Sequence, residues 1–261
     1  METQLKNNLS TRILDSVIRW SPITMQDLKK VIFEQRNKDS IVRLTNLLIK
    51  KGYLQSESSP LIKSKVLYPT KLLIDQTGSL NKEHKGQYLV HNTLLTSFCI
   101  DLLSFSNVDE IFLEKDLNGF ERSSGDLSPD AEAIIYYDNE PFKIAIEFEF
   151  TQKSKNRVIA KIDKFFKGSY YKKIFFIFKN EREASVYVNY FVEYLASANF
   201  KVSKEDSESV IFAIKNNQVS AENLSDLFDI IHPQSITNIN LFFGKGKIHP
   251  KINHQEVLND Q

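Results

Sequence analysis

One short stretch constrains this chain more than any other: Phe142 to Phe150, which reads FKIAIEFEF. Successive side chains of a strand point to opposite faces. Ile144, Ile146, Phe148 and Phe150 therefore share one face, while Ala145, Glu147 and Glu149 share the other, with Thr151 following. Ala131 to Tyr137 reads as a strand joined to this one by the turn DNEP, and the apolar run IFFIF, Ile174 to Phe178, follows. A strand with such neighbours is central in its sheet, where paired carboxylates are costly to bury without a cation. The competing reading is an edge strand whose Glu147 and Glu149 simply face solvent; a central place instead makes the pair a candidate metal or phosphate site.

The flanking elements extend the pattern. A long helix is expected from Gln87 to about Phe105, with Leu89, Leu94, Leu95, Phe98, Leu102 and Leu103 as its apolar stripe. A short strand, Glu110 to Leu113, and the polar loop NGFERSSGDLSP lead into the hairpin. Beyond it, a helix from about Lys153 to Lys167 buries Val158, Ile162, Phe165 and Phe166; a helix Glu183 to Ala196 and a strand Val210 to Ile214 complete the sheet. A strand-helix-strand crossover makes the second hairpin strand and IFFIF parallel neighbours. Helix, strand, β-hairpin, helix, strand is the order of the PD-(D/E)XK restriction-endonuclease-like core, a mixed sheet flanked by helices.

The first third has a different organisation. Ile13, Leu14, Val17 and Ile18 recur at helical spacing behind the cap candidate Ser10. Thr24 can cap a second helix through Leu28, Val31 and Ile32. Asp39 or Ser40 opens a third, with Ile41, Leu44, Leu47 and Leu48 inward, and Gly52 ends it as a left-handed cap. Two short extended pieces follow, Tyr53-Leu54 and Val66 to Tyr68, across the polar stretch QSESSPLIKSK. Three short helices and a two-stranded ribbon give the winged helix-turn-helix order. Its third helix exposes Arg36, Lys38, Arg43, Asn46 and Lys50 near one face, where they can meet phosphates and base edges in a major groove. A solvated face or a protein-docking wing is the competing reading.

The fold class is thus α/β (α+β overall): a winged-helix domain over 1–70, a nuclease-like domain over 71–219, and a helix and tail over 220–261. Pro69 and Thr70 mark the first boundary, with KLLIDQTGSLNKEHKG ambiguous. In the tail, Leu224 to Ile231 reads as a helix stopped by Pro233, and Lys245, Lys247 and Lys251 follow as a frayed terminus or an arm on DNA or a partner.

The carboxylates carry the chemistry. Pro129-Asp130 opens the first hairpin strand, so Asp130 can lie across from Glu147 and Glu149. Three converging carboxylates repel one another, and a hard divalent cation would offset that repulsion. Such an ion activates water or stabilises charge on a phosphate. Lys153 and Arg157 follow at helical spacing, with Lys161 one turn on; Arg157 suits bidentate phosphate contact. His91 is either a packing histidine or, beside the active strand ends of such a core, a residue that positions phosphate or water. Asp126 and Glu132 suit loop or surface roles, and Tyr170 and Tyr171 suit packing better than covalent attachment to DNA.

Composition narrows the class further. With 34 basic and 33 acidic residues the chain is nearly neutral, so nucleic-acid affinity must come from local patches. Hydrophobic and charged fractions of 41% and 26% are ordinary for a globular domain. The lone Cys99 excludes an internal disulfide and reads as a buried small hydrophobe in a reduced compartment. METQLKNNLS shows no leader pattern and no apolar run approaches spanning length, which gives a cytoplasmic expectation with no membrane partner. His249 and His254 have no zinc-spaced partners.

Three motifs, YLVHNTLL around His91, SPDAEAI around Asp130 and IEFEFTQKSKNR from Ile146 to Arg157, resemble the replication-relaxation family, which includes the MOB-C class of plasmid relaxases. The resemblance runs roughly from residue 10 to 215 and marks His91, Asp130, Glu147, Glu149, Lys153 and Arg157. It implies a metal-dependent DNA endonuclease that binds a plasmid origin and nicks one strand in mobilisation or replication. It also implies Mg²⁺ or Mn²⁺ held by Asp130, Glu147 and Glu149, and a coupling or accessory mobilisation protein as a further partner. The five histidines form no His-x-His pair, in keeping with a carboxylate site. Glu149 stands where such a nuclease core carries lysine, and Lys153 is the stand-in. Two other classes stay open: a non-catalytic DNA-binding replication or transcription regulator with a degenerate nuclease core, and an adaptor whose winged helix binds protein.

Overall fold

A computed structural model describes residues 9–32, 38–79, 87–104, 108–117, 127–137, 140–168, 170–178, 181–197 and 210–214. Arg36, Asp126 and the expected tail helix and lysines lie outside these residues. The described fold mixes α and β, with eight helices and two sheets. No described helix is long and apolar enough to cross a membrane. The chain divides into two compact units, Met1–Gly119 and Phe120–Gln261.

In the first unit, α1 (Leu9–Trp20) buries Leu9, Ile13, Val17 and Trp20, a spacing of three and four that makes one helical stripe. β1 (Ile23–Thr24) leads into α2 (Met25–Val31). The Thr24 hydroxyl oxygen accepts from the Asp27 amide at 2.9 Å and its proton is given to Asp27 Oδ2 at 2.7 Å, a two-way cap. α3 (Lys38–Lys50) buries Ile41, Thr45 and Leu48. Leu47, expected inward, is 44% exposed, because Thr45 takes the inward position and closes its hydroxyl on the Ile41 carbonyl at 2.8 Å. The helix ends on Gly52 at φ 79°, with the Tyr53 amide returning to the Leu48 carbonyl at 3.1 Å. A Cβ at Gly52 meets no atom within 4 Å, so Gly52→Ala carries only the backbone cost. It is expected to lose about 1–2 kcal/mol, read as a lower urea midpoint at unchanged slope.

β2 (Leu54–Ser59) and β3 (Ile62–Pro69) follow, and the sheet runs β1-β3-β2, antiparallel throughout. The stretch expected to be a polar loop is itself most of this hairpin. Gln55, Glu57, Lys63 and Lys65 are exposed, so the strands show no clean apolar alternation to announce them. α4 (Lys71–Thr77) occupies the ambiguous segment, capped by Thr70 and closed by Gly78 at φ 64°. α5 (Gln87–Leu102) is buried on more than its expected stripe, since Val90, Thr93, Thr96 and Cys99 are also enclosed. β4 (Val108–Leu113) and α6 (Glu114–Leu117) complete the unit.

Polar ties explain why the first unit runs past Pro69 and Thr70 to Gly119. Lys30 Nζ bridges Asp101 at 2.6 Å and Asp27 at 3.0 Å, joining α2 to α5. Lys115 Nζ donates to the Ile18 carbonyl at the end of α1, 2.7 Å away. Burial pushes the Lys115 ammonium down to about 8.

The second unit has the expected order. β5 (Ala131–Tyr137) and β6 (Glu140–Glu149) form the antiparallel hairpin, with Ala131 opposite Ile146. α7 (Lys155–Gly168) crosses to β7 (Lys173–Phe178), which runs parallel to β6 with Ile146 opposite Phe175. α8 (Glu181–Ser197) leads to β8 (Val210–Ile214), parallel to β7. The strands lie in the order β5-β6-β7-β8, so β6 is interior. Val158, Ile162 and Phe165 of α7 and Ala184, Tyr187, Val188 and Phe191 of α8 cover Ala145, Ile174, Phe176 and Phe178. Glu147 and Glu149 continue the face that Ala145 begins.

Candidate functional site

The period-two geometry of β6 turns Glu147 and Glu149 toward the helical layer, and both are buried, Glu147 to 0% exposure. Asp130 sits one residue before the Ala131–Ile146 pair, so it reaches the same strand end. Its Oδ2 accepts the Phe148 amide at 2.8 Å, anchoring the carboxylate between Glu147 and Glu149. Asp130, Glu147 and Glu149 are thus brought to one end of the hairpin.

Each glutamate is met by a lysine from the next segment. Glu149 Oε1 takes Lys153 Nζ at 2.8 Å, while its Oε2 accepts the Tyr187 hydroxyl proton at 3.1 Å. The same Tyr187 oxygen accepts the Lys153 amide at 3.0 Å. Glu147 Oε2 pairs with Lys161 Nζ, which arrives from α7. Glu147 Oε1 is buried with no hydrogen-bond partner among the described residues. An orphaned carboxylate oxygen in a buried site is costly, and it is the feature of this cluster that fits a bound cation. Among the described residues, however, no group of three or more His, Cys, Asp or Glu side chains is arranged to hold a metal. The two lysines hold the positions where charge compensation is needed.

Electrostatics follow from this enclosure. Burial pushes Glu147 up to about 8; Lys161 pulls it down and Asp130 pushes it further up. Burial opposes the charged form of Lys161, but the charges of Glu147 and Asp130 outweigh it and hold that ammonium above its usual range. Burial and the nearby Glu149 charge raise the Tyr187 hydroxyl, which stays protonated and able to donate. The sign for stability is therefore fixed. A glutamate at about 8 when folded against 4.5 ordinarily binds an extra proton in the folded state between those values. Its contribution is full below about 4.5 and is lost as pH rises through about 8. Glu147→Gln is expected to flatten this part of the pH profile, measured by urea unfolding across that window.

The other expected residues are placed as follows. Arg157 is exposed on α7, while Lys161, expected to extend an exposed basic patch, is instead partly buried on Glu147. In the first unit Lys38, Arg43, Asn46 and Lys50 are exposed on α3. His91, also there, is half-buried on α5 with Nδ1 2.9 Å from Asn92 Oδ1. Glu132, assigned a loop or surface role, is buried against Lys143 at 2.6 Å and Tyr171 at 2.9 Å. Tyr170 and Tyr171 precede β7, whose first residue faces Ile144. That is the middle of β6, short of the end that carries Glu147 and Glu149, and burial raises the Tyr171 hydroxyl, which disfavours it as a nucleophile. Tyr187 escaped the sequence reading. The spacing Ala184, Tyr187, Val188, Phe191 puts it on the inner stripe of α8, but nothing local says that its hydroxyl meets Glu149.

No family model, no curated protein and no solved structure matches the chain.

Proposed function

We propose that the chain is a DNA-processing endonuclease of the relaxase type, with a winged-helix first unit that holds DNA and a PD-(D/E)XK-like second unit that cuts one strand. The observation that carries this reading is the buried pair Glu147 and Glu149 on the interior strand β6, with half-buried Asp130 bonded to the Phe148 amide between them and one Glu147 oxygen unpartnered. Asp130 and Glu147 are the residues to hold a divalent cation, Mg²⁺ or Mn²⁺. When bound, that cation supplies Lewis acidity toward a phosphodiester oxygen and stabilises the charge that grows there.

The chain's own residues supply the rest. Glu149 has both oxygens engaged, so its role is to fix Lys153 and, through Tyr187, the segment entering α7. Lys153 is the ammonium that orients a phosphate or water. Lys161 neutralises the Glu147 carboxylate. Arg157, exposed one turn before Lys161, clamps the DNA backbone bidentately. The exposed stripe on α3 supplies duplex affinity.

The test is conversion of supercoiled plasmid carrying the cognate origin to open circles, with Mg²⁺, Mn²⁺ or chelator. Origin-dependent nicking that needs the metal supports the reading. Specific, salt-sensitive binding without nicking under any metal leaves a DNA-binding regulator instead.

A further inference from the structure

The outward face of α3 carries one apolar side chain among polar and basic ones. Arg43, Asn46 and Lys50 are exposed together with Leu47, while Ile41, Thr45 and Leu48 satisfy the core. A leucine 44% exposed in the middle of a polar stripe contributes little to stability where it stands.

We propose that Asn46 and Leu47 read an A·T base pair in the major groove, with Arg43 and Lys50 gripping the phosphates on either side. This rests on the reading of the first unit as a DNA-binding domain and specifies its substrate. Asn is the side chain that pairs bidentately with adenine N6 and N7, and an apolar group is what meets the thymine methyl. Neither guanine nor cytosine carries a methyl for Leu47, and neither base alone offers the Asn46 amide both a donor and an acceptor. Arg43 and Lys50 are seven residues apart, about 10.5 Å along the axis at the rise of an α-helix. Asn46 and Leu47 sit between them on the same face, so the two cations flank the base contact at either end of it. Asp39, exposed in the first turn of α3, repels phosphate and centres the contact on the later turns of the helix.

The experiment is selection of the full chain on a random-sequence duplex pool, repeated with Asn46→Ala, Leu47→Ala and Arg43→Ala. The selected duplex is then remade with deoxyuridine at its thymines, which removes only the methyl groups. The expected result is an enriched A·T position whose preference falls about tenfold or more in Asn46→Ala. Deoxyuridine weakens wild-type binding several-fold and leaves Leu47→Ala indifferent. Arg43→Ala weakens all sequences alike and shallows the salt dependence. All of these positions are exposed, and matching thermal unfolding shows that each variant is folded. Salt-sensitive binding with no A·T preference, or with no response to deoxyuridine, overturns this inference and leaves the DNA-binding reading intact. Absence of salt-sensitive duplex binding overturns both.

Discussion

Lys161→Met is expected to destabilise the second unit by an amount that grows as pH rises beyond about 8, toward the roughly 3–5 kcal/mol of a broken buried ion pair. The methionine keeps most of the aliphatic stem, so the loss isolates the ammonium. Without it, Glu147 Oε2 joins Oε1 as an unpartnered oxygen in a fully buried carboxylate. The penalty shrinks as pH falls, because burial already favours the protonated form of Glu147 and a neutral carboxyl needs no counter-charge. The double variant Glu147→Gln/Lys161→Met removes both charges and should recover most of the loss, giving a large coupling energy. Urea unfolding of the four proteins on either side of pH 8 measures it. A Lys161→Met protein as stable as wild type at both would mean that the ion pair contributes nothing to holding the cluster.

Glu147→Gln should reduce nicking on the order of a thousandfold while leaving duplex affinity unchanged. Metal Lewis acidity contributes several kcal/mol to a phosphoryl displacement, and each ~1.4 kcal/mol is a decade in rate. Glu147 is fully enclosed in the second unit and offers no surface to a duplex, so binding and cutting separate in this variant. Electrophoretic mobility shifts beside plasmid nicking read the two. Equal losses of both would point to misfolding or to a DNA-contact role.

What was legible in advance follows from local periodicity. β6 and α7 announced themselves because every second or every third-and-fourth residue is apolar, and the crossover rule then made β6 and β7 parallel neighbours. The β2–β3 hairpin did not, since its outer residues are polar and its pairing is carried by backbone. Leu47 was misplaced because hydrophobicity alone assigns a leucine inward, and Thr45, closing its hydroxyl on its own helix, took that place.

The site divides in the same way. The carboxylates were readable from spacing on one strand. Their partners were not, because Lys161 and Tyr187 lie 14 and 38 residues from the glutamates they meet. Helical spacing gave Lys153 and Lys161 one face, and only packing distributed one to each glutamate. Lys30–Asp101 and Lys115–Ile18, ties between residues far apart in sequence, lie within the first compact unit and were not readable from local pattern.

The most direct test of the central claim, that this buried cluster is a cation site, is calorimetric titration of Mn²⁺ into the full chain, wild type against Glu147→Gln. The account predicts one saturable binding event in the wild type, weakened at least on the order of tenfold in the variant, with both proteins folded. Mn²⁺ binding that is equal in the two proteins, or absent from both, would contradict it.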